Sequence, residues 1–323
     1  MRFMYGADFH WSEQTPVHRK DNFLAAQEKK IRKMFEIASD YKVSKILQGG
    51  DLFHHHQANY WFAHWMIVLL RELMAKHKMG PIVVNQGNHD VLGGRLPTTY
   101  EGALGMMADA GVVQLLTTEG PYEDRTFDEV DFRFIPYRLQ PNLEAYSTNR
   151  IIINHDMVTT YDTPFDHFLY TDVAEKTRSP LVLCSHWHYQ FQERAKDTLF
   201  VNPGPMMRRS WSERKGDPSV AIVDVHEPPQ CVDAIRVEFV SLQGDKDVFK
   251  EPDQKNEDAL HQVEQAYEVA EEFVRALKSS VETMSVDEVI RKISKELKLS
   301  SETLSYALDK LQQARAVEVK SGN

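Results

Sequence analysis

The sequence predicts an α/β fold, and three observations carry the expectation. Apolar runs of about four to six residues alternate with longer helical patterns up to about residue 240. Hydrophobic residues make up 42% and charged residues 27% of the 323-residue chain, enough for a core of ordinary globular size. The apolar runs crowd toward the end of this region, which suggests a mixed sheet or a two-sheet sandwich.

In chain order, the strand candidates are Arg2–Asp8, Lys45–Gln48, Ile82–Asn85, Phe132–Ile135, Ile151–Asn154, Leu181–Cys184, Leu199–Asn202, Val220–Val225 and Ile235–Val240. The helix candidates between them include Asp21–Tyr41, Ala58–His77 and Tyr100–Ala110. Composition shifts near Ser241, and the polar, Pro252-containing stretch over 244–256 reads as a linker between residues 1–243 and 257–323. The last segment reads as wholly helical. Ala259–Ser279 forms one helix, Ser285-Val286-Asp287-Glu288 opens a second in capping-box form, and Ser301 caps a third ending near Ala314.

Several classes drop out early. No run of about 18 apolar residues is present, so no membrane-spanning helix is expected. Cys184 and Cys231 alone make no disulfide framework. The opening Met1-Arg2-Phe3-Met4-Tyr5 leads straight into a strand carrying Asp8 and His10, which a cleaved leader would remove. A cytoplasmic location is expected, or a host cytoplasm for a phage-encoded chain. The net charge of −10 argues against a general nucleic-acid binder, because phosphate contacts need Lys and Arg.

Polar clusters follow five of the strand candidates. They are Asp8-Phe9-His10, Gly49-Gly50-Asp51, Gly87-Asn88-His89-Asp90, His155 and His186-Trp187-His188. Ligands bind at the carboxyl ends of strands in α/β sheets. The period-two alternation of a strand would put Asp8 with His10, and His186 with His188, on common faces. Carboxylate, imidazole and amide oxygen together suit manganese, iron or zinc rather than calcium. No Cys accompanies the clusters, which speaks against a structural zinc site. Asn and Asp also favour turns, and Asp90 reads as a supporting partner rather than a ligand.

The order Asp-x-His, Gly-Asp, Gly-Asn-His-Asp, His, His-x-His resembles the calcineurin-like metallophosphoesterase superfamily over roughly residues 1 to 240. The resemblance implies a two-sheet β-sandwich flanked by helices and two divalent metal ions. It implies that Asp8, His10 and His188 hold one metal, that Asn88, His155 and His186 hold the other, and that Asp51 bridges them. Two such ions about 3.5–4 Å apart activate a water and clamp the phosphoryl oxygens of an in-line displacement. His89 corresponds to the family's catalytic histidine, assisting the leaving group. Two features depart from the pattern. Ser185 stands where the family usually has Gly, and Asn154 and Asp156 flank His155. His167 is an alternative to His155.

The segment Leu47-Gln48-Gly49-Gly50-Asp51-Leu52-Phe53-His54 resembles the second motif of the double-strand-break repair nuclease subunit, meiotic-recombination-eleven or SbcD-type. The Asp-Arg-Gly element of the superfamily's protein phosphatases is missing. Two further stretches are similar to that nuclease branch: Gly102–Val113, and Asn202-Pro203-Gly204-Pro205 followed by Arg208-Arg209-Ser210. The resemblance implies manganese-dependent DNA cleavage with His54 in the active site, and partnership with an SMC-like coiled-coil ATPase. It also implies homodimerisation through helix 58–77, whose apolar residues cover more than one face; a helix sandwiched within the domain would show the same pattern. His55 and His56 carry no such match and read as an exposed loop.

Arg208, Arg209, Arg214 and Lys215 surround Trp211, either to hold a DNA backbone or as a solvated loop interleaved with Glu213 and Asp217. The C-terminal helices fit docking on the ATPase, a helix-turn-helix ending in a short strand at Ala316–Val319, or a plain helical lid. A phosphodiesterase or phosphatase acting on a small nucleotide or phosphoprotein would share the same metal residues. A non-catalytic scaffold would not need the full ligand set.

Overall fold

The computed structural model describes residues 1–250 apart from 93–95, 117–119, 139–140, 164, 227–230 and 244–247. The chain divides into Met1–Glu251 and Pro252–Asn323. The helices expected over 257–323 and most of the linker lie outside the described residues.

The described elements are β1 (Arg2–Gly6), α1 (Phe23–Asp40), β2 (Lys45–Gln48), α2 (Tyr60–His77), β3 (Ile82–Val84), α3 (Ala103–Asp109), β4 (Val113–Leu115), β5 (Glu123–Phe127) and β6 (Val130–Ile135). They continue with β7 (Ile151–Asn154), β8 (Val158–Thr159), β9 (Phe168–Leu169), α4 (Tyr170–Lys176), β10 (Leu181–Leu183), β11 (Phe191–Ala195), β12 (Thr198–Asn202), β13 (Ser219–Val225) and β14 (Ile235–Ser241). One six-stranded sheet has the order β14-β13-β1-β2-β3-β4 and the other β11-β12-β10-β7-β6-β5. Both are mixed. β1 to β4 run parallel beside antiparallel β13 and β14. β6, β7, β10 and β12 run parallel between antiparallel edges β5 and β11.

Alternation along the strands sorts their side chains into three apolar layers. Phe3, Tyr5, Leu47 and Val83 meet Phe132, Phe134, Ile151, Ile153 and Leu183 between the sheets. Met4, Ile46, Ile82 and Val84 face the other way, onto Ile31, Phe35, Met66, Leu70 and Leu104 of α1, α2 and α3. Ile152, Val182 and Phe200 face outward from the second sheet onto Val173 and Ala174 of α4. The result is a two-sheet sandwich with helices on both outer faces. The central strands therefore read as continuous apolar runs, because both of their faces are buried. Fully burying a side chain such as Phe132 or Ile153 stabilises the fold by about 1.5–3 kcal/mol relative to exposure.

The differences from the sequence reading have physical causes. β5 (Glu-Asp-Arg-Thr-Phe) and β11 (Phe-Gln-Glu-Arg-Ala) are polar edge strands without an apolar run to betray them. α4 has seven residues and buries only Val173 and Ala174, too little for a visible helical period. α2 starts at Tyr60, two residues after Ala58, and buries Phe62, Ala63, Met66, Leu69, Leu70 and Leu73. Part of its apolar surplus is thus used inside the domain, while Trp61 and Val68 remain 50% and 52% exposed. Arg32 pairs with Glu72 at 2.7 Å to join α1 to α2. Arg71 donates to Ala110 O at 2.8 Å and ties α2 to the end of α3.

Candidate metal centre

The parallel strands of both sheets end on one rim, and the loops leaving β1, β2, β3, β7 and β10 carry the residues singled out above. Pairing of the first two loops continues past the strands. His10 N donates to Asp51 O at 2.9 Å and His54 N donates to Trp11 O at 3.0 Å. Cross-sheet bonds close the rim: Tyr5 Oη donates to Cys184 O at 2.9 Å, and Asn85 Nδ2 donates to Ile135 O at 2.9 Å. Gly50 has φ of +121°, and a Cβ there would run into His155 and the Gly87 backbone, so only glycine lets the loops meet.

Neither His-containing pair lies on a strand, so strand alternation does not orient them. β1 ends at Gly6 and β10 at Leu183, before either pair. Asp8 (φ +48°), His10 (φ +46°), Asp51 (φ +58°) and His186 (φ +67°) all adopt the left-handed region. Such backbone is costly outside glycine and concentrates at functional sites. Left-handed backbone, rather than strand alternation, turns these side chains toward one point.

Two donor sets match the expected ligands, Asp8 with His10 and His188, and Asp51 with His155 and His186, beside a third of His10, His54 and His89. Within each, the ligand atoms lie within 4.8 Å of one another. His10 Nε2 is 3.0 Å from His188 Nε2. Asn88 Oδ1 is 3.1 Å from His155 Nε2, placing the amide in the second set. Asp51 Oδ2 stands between them, 3.6 Å from His10 Nε2 and 3.4 Å from His155 Nε2. Donor atoms on a shell of about 2.0–2.2 Å radius are separated by about 3 Å, so the residues present fit two divalent cations sharing Asp51. His167 lies elsewhere, donating to Phe165 O at 2.7 Å and facing Asp162 at 3.5 Å.

The electrostatics favour cations. Asp8, Asp51 and Asp90 are fully buried within one site, a concentration of negative charge that needs compensation. Burial raises the Asp8 carboxyl to about 6 against the opposing pull of His188 and His155. Burial also opposes ionisation of Asp51, but His155 and His89 hold it well below the usual carboxylate range. Burial pushes His10 down and takes His186 to about 3, so both imidazoles present lone pairs. For His155 burial works the same way but is outweighed by Asp51, with Asp8 and Asp90, which lift it to about 9. A cation must displace that proton. Manganese affinity is therefore expected to rise with pH up to about 9 and to be accompanied by proton release, measurable by titration in weakly buffered solution.

Supporting residues fix the ligands. His155 Nδ1 donates to Gly49 O at 3.0 Å, leaving Nε2 for a cation. Ser185 Oγ donates to Asn154 O at 2.6 Å and lies 3.0 Å from His155 Nδ1, so the hydroxyl in place of glycine joins this support. Asn154 itself donates to Leu183 O at 3.4 Å, and Asp156 accepts from Tyr146 Oη at 3.0 Å, so both flank His155 as buried structural groups. Asp90 is a clamp rather than a ligand. Its Oδ2 accepts from Asp51 N at 2.7 Å and Gly87 N at 2.9 Å, and its Oδ1 accepts from Leu52 N at 3.1 Å. Asp90→Ala strands three buried N–H groups, at about 1 kcal/mol or more each. A loss of at least about 3 kcal/mol is expected in denaturant unfolding.

Glu213 is the supporting residue that the sequence hid. Expected within a loop that either holds DNA or is solvated, it is nearly buried on the short 3-10 helix Ser212–Lys215. Its Oε1 accepts from His188 Nδ1 at 2.7 Å, and its Oε2 accepts from Ser210 N at 3.0 Å. This fixes the His188 tautomer with Nε2 toward His10. No strand precedes Glu213 and no motif contains it, so no sequence signal marks it. Loss of such a partner typically costs about 10–100-fold in metal affinity, and Glu213→Ala is expected to fall in that range by equilibrium dialysis with manganese.

His54 and His89 border the first set. Their rings stack at 5.0 Å with 22° between planes, and both group with His10. His89 Nδ1 is 2.6 Å from His54 O, which can only accept, so Nδ1 carries a proton and Nε2 faces Asp51 Oδ2 at 3.9 Å. His54 Nδ1 lies 3.4 Å from His10 Nδ1, on the side of that ring away from His188. His55 and His56 are half-buried rather than exposed, with the His55 ring 4.5 Å from that of His54. In the basic cluster, Arg208 donates to Arg214 O at 2.8 Å and Arg214 to Trp211 O at 3.1 Å. Arg209 donates to His10 O at 3.2 Å. Of these four basic residues, only Lys215 is exposed.

No curated protein matches the chain. Among solved structures, a novel archaeal phosphodiesterase shares 16% identity over 74% of this chain and 100% of its own, with a TM-score of 0.38. A hypothetical protein from Thermus thermophilus shares 12% over 75% and 99%, TM-score 0.43. Zinc-complexed Vps29 from Entamoeba histolytica shares 8% over 75% and 100%, TM-score 0.36. The family model of the calcineurin-like phosphoesterase superfamily domain matches residues 1–228, and the chain belongs to that superfamily.

Proposed function

We propose that the protein is a metal-dependent DNA nuclease, the catalytic subunit of a recombination or repair complex with an SMC-like ATPase. The observation that carries this reading is the position of His54. It extends the Gly-Asp-Leu-Phe-His segment into the site, with its ring stacked 5.0 Å from His89. Asp8, His10 and His188 would hold one divalent cation, Asn88, His155 and His186 the other, with Asp51 shared. Bound there, divalent cations supply charge stabilisation to a phosphoryl group and activate water. Manganese is the candidate metal. The chain's own residues do the rest. His54 O holds the His89 Nδ1 proton, which orients Nε2 toward the leaving oxygen. Asp90 and Glu213 keep the ligand loops and His188 in place.

Two partner surfaces belong to the same proposal. Exposed Trp61 and Val68 on α2 support a homodimer, which a monomeric mass at micromolar concentration would contradict. Residues 257–323 would dock on the ATPase. A cytoplasmic location is part of this reading; no helix among the described residues is long and apolar enough to cross a membrane.

A second reading, a phosphodiesterase acting on a small nucleotide, is favoured by the acidic charge of −10 and by the basic cluster, where Arg208 and Arg214 bond to their own loop. Lys215 and Arg209 remain the candidates for phosphate-backbone contact. The test is incubation with linear duplex DNA, single-stranded DNA and a generic phosphodiester, with manganese and with chelator. Manganese-dependent DNA degradation is expected. Activity confined to the small diester selects the second reading, and no activity on any of the three overturns both.

A further inference from the structure

Three aromatic side chains beside the metal centre have no role in holding ligands. Trp187 separates His186 from His188 in sequence, so it adjoins a member of each donor set. Its ring centroid lies 4.8 Å from that of Tyr189 with 38° between planes, and 5.7 Å from that of Tyr161, edge-on at 75°. Tyr161 is 53% and Tyr189 44% exposed. None of the three belongs to the apolar layers of the described residues, so core packing does not account for them.

The backbone beneath the shelf is hydrogen-bonded. Trp187 N donates to Ser185 O, Tyr189 N donates to Trp187 O and Asn202 Nδ2 donates to Trp187 O, each at 2.7 Å. Thr159 Oγ1 donates to Tyr161 O at 2.9 Å on the facing loop. The Tyr137 ring lies 5.7 Å from that of His186. Exposed Tyr161 and Tyr189 beside half-buried Trp187 offer an aromatic surface on which a flat π partner can stack. At a phosphodiester-cleaving centre, the flat group attached one sugar from the phosphate is a nucleobase.

We propose that Trp187, with Tyr189 and Tyr161, stacks the unpaired base of a nucleotide whose phosphate lies at the metal centre. A base within a duplex is already stacked on both faces, so the substrate class is a single strand, a frayed end or a mononucleotide diester. The inference rests on the phosphoesterase reading and adds which phosphodiesters the site prefers.

The test uses the full-length, manganese-loaded protein and 2-aminopurine riboside 5′-monophosphate, whose fluorescence is quenched on stacking. Quenching is expected with the native chain and with Trp187→Phe. Trp187→Leu is expected to weaken binding about tenfold, within the range for base–aromatic stacking. Tyr189→Leu and Tyr161→Leu, at exposed positions, should each show a smaller loss if Trp187→Leu folds poorly. In parallel, the preference for the 4-nitrophenyl ester of thymidine 5′-monophosphate over methyl 4-nitrophenyl phosphate should collapse in Trp187→Leu. Undiminished quenching in all three leucine variants, with metal content verified, overturns the base shelf and leaves the phosphoesterase reading standing. Failure of the native protein to hydrolyse either ester or single-stranded DNA overturns the phosphoesterase reading itself, and the shelf with it.

Discussion

His89→Asn is expected to retain both cations and to lose about 10²- to 10⁴-fold in turnover, the usual contribution of a positioned acid–base group. The retained metal follows from geometry. His89 lies beside Asn88 but contributes no atom to the seven-residue cage; it meets Asp51 through its backbone N–H, 2.8 Å from Oδ1, and that bond survives substitution. The asparagine amide can also replace the Nδ1–H bond to His54 O. What disappears is Nε2, the one imidazole nitrogen of His89 turned toward Asp51 Oδ2. Imidazole titrates near neutrality and can hand a proton to a leaving oxygen, whereas an amide cannot. Metal content and kcat measured on the same preparation check this. Near-native turnover with full metal would remove His89 from the chemistry.

Asp51→Asn is expected to do more. Asp51 Oδ2 is the one oxygen close to both His10 and His155, while Oδ1 is committed to the His89 backbone. An asparagine can keep the Oδ1 bond only by turning its NH₂ group toward both cation positions, replacing a shared anion by a donor. Because one ligand would serve both cations, the loss of affinity should exceed the roughly 10–100-fold typical of an outer-shell partner. Bound manganese should fall from two ions per chain to one or fewer, with activity at background. The fold should persist, since Asp8 and Asp90 still neutralise His155, and circular dichroism separates loss of metal from loss of structure.

The contrast between these two sites shows what a sequence carries. Ile151–Asn154 and Lys45–Gln48 were legible to the residue, because a strand buried on both faces has no other way to be written. β5 and β11 were not, because an edge strand is specified by the register of its neighbour. The candidate ligands were legible as polar clusters following apolar strands. Their convergence was expected, but its route was not: Asp8, His10, Asp51 and His186 reach the centre through left-handed backbone, which strand alternation does not foresee. Glu213 was invisible for a further reason. It approaches His188 from 25 residues away, through a loop whose basic neighbours suggested DNA contact or solvent. Ser185, set against the expected glycine, is explained by its contacts with Asn154 O and His155.

The claim on which the rest stands is that one buried carboxylate is shared by two cations. Anomalous diffraction from manganese-soaked crystals measures this directly. Two peaks about 3.5–4 Å apart are expected, one among Asp8, His10 and His188, the other among Asn88, His155 and His186, with Asp51 between them. A single peak, or metal bound away from Asp51, would contradict it.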